Sequence, residues 1–118
     1  MTTLINFIHN FKQDFYPNLN NDTRKQFFFK SLLHMLISLE VTSFTITEDG
    51  ITLKKLEYLI PSEIGTKKEI ISVIKEGLKK NFFIQTKIKK SKYCSLKISK
   101  QYSLMITNWY LDKKVKIN

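Results

Sequence analysis

The sequence predicts a mainly α-helical fold with one small β-hairpin, an α+β class built as a single domain over residues 1–118. Two observations predict it. From Thr66 to Lys100 an apolar repeat of helical period gives way to a repeat of two, as when a helix runs straight into a two-stranded ribbon. Towards both ends of the chain, apolar residues again recur at helical spacing. A length of 118 residues suits one modest core, and the aromatic and aliphatic content is enough to fill it.

Taken in order, residues 3–16 form a first helix with Leu4, Ile8, Phe11 and Phe15 on one stripe, widened by Ile5 and Phe7. Pro17 and the Asn18–Asn21 cluster end it in a loop. Asp22 or Thr23 can cap a second helix over 23–40, whose Phe27, Leu32, Met35, Ile37 and Leu39 make it apolar nearly all round and so central. Val41 to Thr47 alternates and is rich in β-branched residues, so a short strand is expected there, turning at Glu48-Asp49-Gly50. Thr52 caps a short helix, Leu53–Ile60, with Leu53, Leu56 and Leu59/Ile60 inward, and Pro61 stops it. Ile64 then tucks into the core and Gly65 allows the turn.

The next helix, 66–81, opens on a capping box in which Thr66 and Glu69 exchange side-chain-to-backbone hydrogen bonds. Ile70, Ile74 and Leu78 line one face, while Lys68, Ser72, Lys75 and Lys79 line the other. Asn81 suits the left-handed turn at its end. In the ribbon over 84–98, Ile84, Thr86 and Ile88 alternate with lysines and Gln85, and Cys94, Leu96 and Ile98 answer them beyond the tip Lys90-Ser91-Lys92. Residues 101–118 form a last helix with Tyr102, Met105, Ile106 and Trp109 in register. Both terminal helices carry more apolar surface than a lone helix hides. Two arrangements answer that: a homodimer through residues 1–22 and 101–118, or the two helices packed on each other within one chain.

Charge is distributed unevenly. Residues 1–60 hold six basic and six acidic side chains, whereas residues 61–118 hold fourteen and four. The whole net charge of +10 therefore sits in the half that holds the helix and ribbon, which points to a polyanion and to nucleic acid first. Arg24 is the only arginine, so contacts to bases must do without its bidentate fork.

The order of helix, short strand, short helix, turn, lysine-faced helix and ribbon, with its run ITLKKLEYLIPSEIGTKKEIISVIKEGLKKNFFIQTKIKKSKYCSLKIS, resembles winged helix-turn-helix transcriptional regulators, most nearly the MarR type. The chain departs from that pattern at Asn81-Phe82, where the exit from the recognition helix usually carries glycine, and in lacking the Asp-Arg-Arg signature of the wing. The resemblance implies a winged helix over 23–100 flanked by terminal helices, and a transcriptional regulator that binds double-stranded DNA with tolerant or moderate sequence specificity. Helix 66–81 would lie in the major groove, offering Thr66, Lys67, Lys68, Ser72, Lys75 and Lys79. The wing's Lys87, Lys89, Lys90 and Lys92 would meet the backbone or minor groove.

Other functions find less in the residues. The chain lacks a glycine-rich phosphate loop, a metal-ligand cluster and a nucleophile–base spacing, so neither an enzyme nor a cofactor is expected. His34 and His9 read as hydrogen-bonded residues ahead of ligands or proton sensors, and Cys94, inward by alternation, as structural ahead of redox-active. A lone cysteine, the absence of a signal-peptide pattern in MTTLINFIHNF and the lack of an apolar run of about 20 residues imply a soluble cytoplasmic protein with no membrane partner. A protein–protein adaptor whose basic face binds an acidic partner is the alternative. The sequence names no operator, sign of regulation or effector.

Overall fold

The computed structural model describes residues 2–13, 22–87 and 94–117. Among them are six helices and two strands: α1 Thr2–Gln13, α2 Thr23–Phe28, α3 Leu32–Glu48, α4 Leu53–Leu59, α5 Lys67–Lys79, β1 Phe83–Lys87, β2 Cys94–Ile98 and α6 Lys100–Ile117. The strands pair antiparallel, with Phe83 opposite Ile98 and Lys87 opposite Cys94. On the other edge of β2, Ile51 forms a one-residue bridge with Leu96 through two backbone hydrogen bonds of 2.9 and 2.7 Å. The fold is thus mainly helical with a small antiparallel sheet.

The expected helix over 23–40 is two helices, broken at Phe29–Ser31. Phe27, Phe28 and Phe29 are all buried, which three consecutive residues on one straight helix cannot achieve against a single core. The chain bends after them, and Ser31, in extended conformation, caps α3 by accepting the His34 N–H.

The expected strand over Val41–Thr47 is a correction of kind: this segment is the second half of α3. Its β-branched residues are accommodated by back-bonding. Thr42, Thr45 and Thr47 donate their hydroxyls to the carbonyls of Ser38, Val41 and Ser43, so the side chains that favour a strand are tied to the helix instead. Leu33, Ile37 and Val41, spaced by four, carry the burial. The helix is also less central than its composition suggests, since Leu32, Leu39 and Ile46 point to solvent, Ile46 with 78% of its surface exposed. It ends where Asp49 turns left-handed and Gly50 adopts φ 128°, and a side chain on Gly50 would collide with Ser95 and the Leu96 carbonyl.

α4 begins at the Thr52 cap as expected, with Leu56 and Ile60 buried and Leu53 against the core. Leu59 faces outward instead of inward, because Ile60, in extended backbone beyond the helix end, takes the buried position before Pro61. Ile64 packs on the core as expected. Gly65 serves close packing more than turning: its φ is not left-handed, and a Cβ there would run into the Leu33 side chain.

In the ribbon, β1 is one residue out of the expected phase. Phe83 points to the core opposite Ile98, so Ile84 shares the outer face with Lys97 and is half exposed. Gly77 makes this possible, since any larger residue in α5 would meet the Phe83 ring. The core joins these elements to α6, where Tyr102, Met105 and Ile106 are buried and Trp109 packs on Phe28 and Phe29. Phe27 lies against Phe82, Phe83 and Tyr102. The Ser38 hydroxyl donates to the His34 carbonyl, so the Tyr102 hydroxyl, 2.7 Å away, donates to Ser38. Burial pushes the Tyr102 phenol above its ordinary range.

The terminal helices α1 and α6 do pack on each other within the chain. That contact still leaves Leu4, Ile5, Ile8, Leu104, Tyr110 and Leu111 exposed. Among the described residues, no helix is long and apolar enough to cross a membrane.

Candidate nucleic-acid interface

α5 is capped at both ends. At its start the Thr66 hydroxyl accepts the Glu69 N–H, and Glu69 Oε1 accepts both the N–H and the hydroxyl of Thr66, at 3.1 and 3.0 Å. These bonds hold the Glu69 carboxyl below its usual range. At its end the Phe82 N–H reaches the Gly77 carbonyl and the Asn81 N–H that of Leu78, with Asn81 at φ 63°. That double bond pattern is a Schellman turn with asparagine in the left-handed position. Ile70, Val73 and Ile74 are buried against the core, which fixes the rotation of the helix about its axis.

The opposite face is therefore set. Lys67, Lys68, Ser72, Lys75 and Lys79 are all exposed, as expected from their spacing. Lys68, Lys75 and Lys79 make no ion pair with any described residue. Lys67 is partly answered by Glu57 of α4, 4.0 Å away. Thr66 lies at the same end, but its hydroxyl is taken up by the capping box, so it is a positioning group before it is a base reader.

In the ribbon, Lys87 is placed by its backbone as the last residue of β1, opposite Cys94. Lys89, Lys90 and Lys92, with the tip of the hairpin, lie outside the described residues, and so does the expected inward orientation of Cys94's side chain. Lys97 is not a free cation: it bonds Asp49 at 2.6 Å.

Sequence reasoning missed two neighbouring features. On α4, which meets α5 through Glu57 and Lys67, Lys54, Lys55 and Tyr58 face outward, Tyr58 with 82% of its surface exposed and the Lys55 ammonium 5.4 Å from its ring centre. The signal was there, since they lie opposite the inward Leu53, Leu56 and Ile60. Behind the stripe, Glu76 of α5 turns inward to a cluster that no local pattern announces. Its carboxylate bonds His34 Nε2, Lys30 and Lys80, each at about 3.1–3.2 Å. Burial alone would raise this carboxyl, but the bonds from His34, Lys80 and Lys30 outweigh it and bring it down to about 2. His34 is buried and bonded on both ring nitrogens, its Nδ1 lying 2.7 Å from the Ser31 hydroxyl. His9 is exposed on α1.

Chemically, the outer face of α5 offers positive charge at regular spacing on a rigid helix, with the Ser72 hydroxyl among it. Among the described residues, no group of three or more His, Cys, Asp and Glu side chains could hold a metal ion. Comparison with protein-family models, with curated proteins and with solved structures found no match for this chain.

Proposed function

We propose that this chain is a winged helix-turn-helix protein of MarR-like character that binds double-stranded DNA as a homodimer and regulates transcription in the cytoplasm. The observation that carries the reading is the exposed row Lys68, Ser72, Lys75 and Lys79 on α5, whose three lysines find no counter-charge among the described residues. Cations held without partners on one rigid face are groups available to phosphate oxygens. Further support comes from the order of elements. α3, the bridge at Ile51, α4, α5 and the two strands follow one another as in a winged helix, with the first strand reduced to a single residue. In this reading α5 enters the major groove and the ribbon meets the flanking backbone or minor groove. Lysine without arginine favours backbone affinity over base discrimination. The apolar residues left exposed on α1 and α6 are the surface for the second copy.

The test is binding to labelled AT-rich duplex, titrated with salt, for the wild type and for Lys68→Glu/Lys75→Glu. If about six lysines meet phosphates, the log–log slope is near −5, and the double variant abolishes binding. A folded wild type that fails to bind at low salt overturns this reading and puts an acidic protein partner on the same face.

A further inference from the structure

A groove of about 490 Å³ opens between the first turn of α3, the turn joining α4 to α5, and α5 itself. Its floor is apolar, formed by Leu33, Ile64 and Val73, and Leu32 stands at its side with 57% of its surface exposed. Glu63 and Glu69 supply the acidic groups lining it. Neither makes an ion pair with any described residue, although residues 61–118 hold fourteen basic side chains against four acidic ones. Two carboxylates without an ion pair, Glu63 and the Glu69 of the capping box, stand beside apolar side chains here and give the groove a sign opposite to that of the basic half of the chain.

We propose that this groove docks a cationic amphipathic peptide segment of a protein partner, one large apolar side chain seated on Leu33, Ile64 and Val73 with a lysine or arginine beside it. The apolar floor accounts for the anchor, and the carboxylates select the flanking charge. The first turn of α3 also opens here and by itself would favour an anion. Glu63 and Glu69 line the same space and reverse that preference. The groove lies beside the lysine stripe and shares only Ser72 with it, so this surface stands whether or not the stripe binds DNA.

The experiment is selection of a random-peptide phage library on the full-length chain, followed by fluorescence-anisotropy titration of the enriched peptides. The protein's net charge of +10 repels cationic peptides in general, which makes their retention informative. Enriched clones should carry a large apolar residue flanked by Lys or Arg. Glu63→Lys should weaken them by at least about tenfold and Leu32→Ala by several-fold, while Lys68→Glu/Lys75→Glu leaves them bound. Both groove variants alter exposed side chains outside the capping box and the core, and circular dichroism confirms that they fold. Enrichment of acidic peptides alone, no enrichment, or cationic peptides indifferent to both Glu63→Lys and Leu32→Ala overturns the proposal.

Discussion

The second half of α3 and strand β2 have much the same local vocabulary. Val41-Thr42-Ser43-Phe44-Thr45-Ile46-Thr47 and Cys94-Ser95-Leu96-Lys97-Ile98 both alternate, and neither contains a glycine or proline. One is helix and the other strand. What separates them is what lies on either side. The threonines of α3 continue a helix already capped at Ser31 and already burying Leu33 and Ile37, so extending it costs less than starting a strand. β2 has a partner strand in register beside it and core contacts at Leu96 and Ile98. Alternation is a necessary condition for a half-buried strand and a weak sufficient one.

The two segments meet, and their junction is where the comparison is most easily broken. Gly50, which ends α3 and lets Ile51 reach Leu96, is the most sensitive position. Gly50→Ala places a side chain at φ 128° against Ser95 and should cost about 3 kcal/mol in urea unfolding. A loss below 1 kcal/mol would show, by the same scale of backbone strain, that the bridge is dispensable.

The other end of α3 is held by charge. Glu76 has its carboxyl lowered to about 2 in the folded chain from an ordinary value of 4.5, so its contribution is fully present above about pH 4.5 and is lost as the pH falls towards 2. Glu76→Gln should flatten the stability profile across that window and, at neutral pH, cost on the order of 1–2 kcal/mol. Lys30 and Lys80 are about half exposed, which keeps the cost at the lower end and leaves His34 as the stronger partner. An unchanged acid profile would remove Glu76 from the account.

The finest test compares threonines. Thr45 donates to the Val41 carbonyl and also accepts the backbone N–H of Ile98, whereas Thr47 makes only its helical back-bond. Thr45→Val leaves that strand N–H unpaired and should cost about 1–2 kcal/mol. Thr47→Ala should change stability by less than about 0.5 kcal/mol, tending towards a gain, because alanine is the better helix former. Equal effects at the two positions would mean that the link to the ribbon carries nothing.

These outcomes bear on what the sequence could reveal. α5 was legible because everything that shapes it is local: Thr66 and Glu69 three residues apart, an apolar stripe of period 3.6, and Asn81 at the end. Its lysine face followed from the same period. The break at Ser31 was legible in part, since a serine three residues before His34 is a cap, but the burial of three successive phenylalanines shows only in three dimensions. The outward turn of Ile84 was hidden because its neighbour Phe83 is also apolar, and only Gly77, six residues earlier, leaves room for that ring. The Glu76 cluster joins positions 30, 34, 76 and 80, a distance in sequence that no periodicity spans.

The hydroxyl of Thr45 has one more consequence. A sheet edge with free N–H groups is a template on which another chain can add a strand. On the side of β2 away from β1, the Leu96 N–H is taken by the Ile51 carbonyl and the Ile98 N–H by Thr45. A single bridging residue and one helical side chain thus stand in for a third strand along Leu96–Ile98, and they close that stretch of the edge to recruitment.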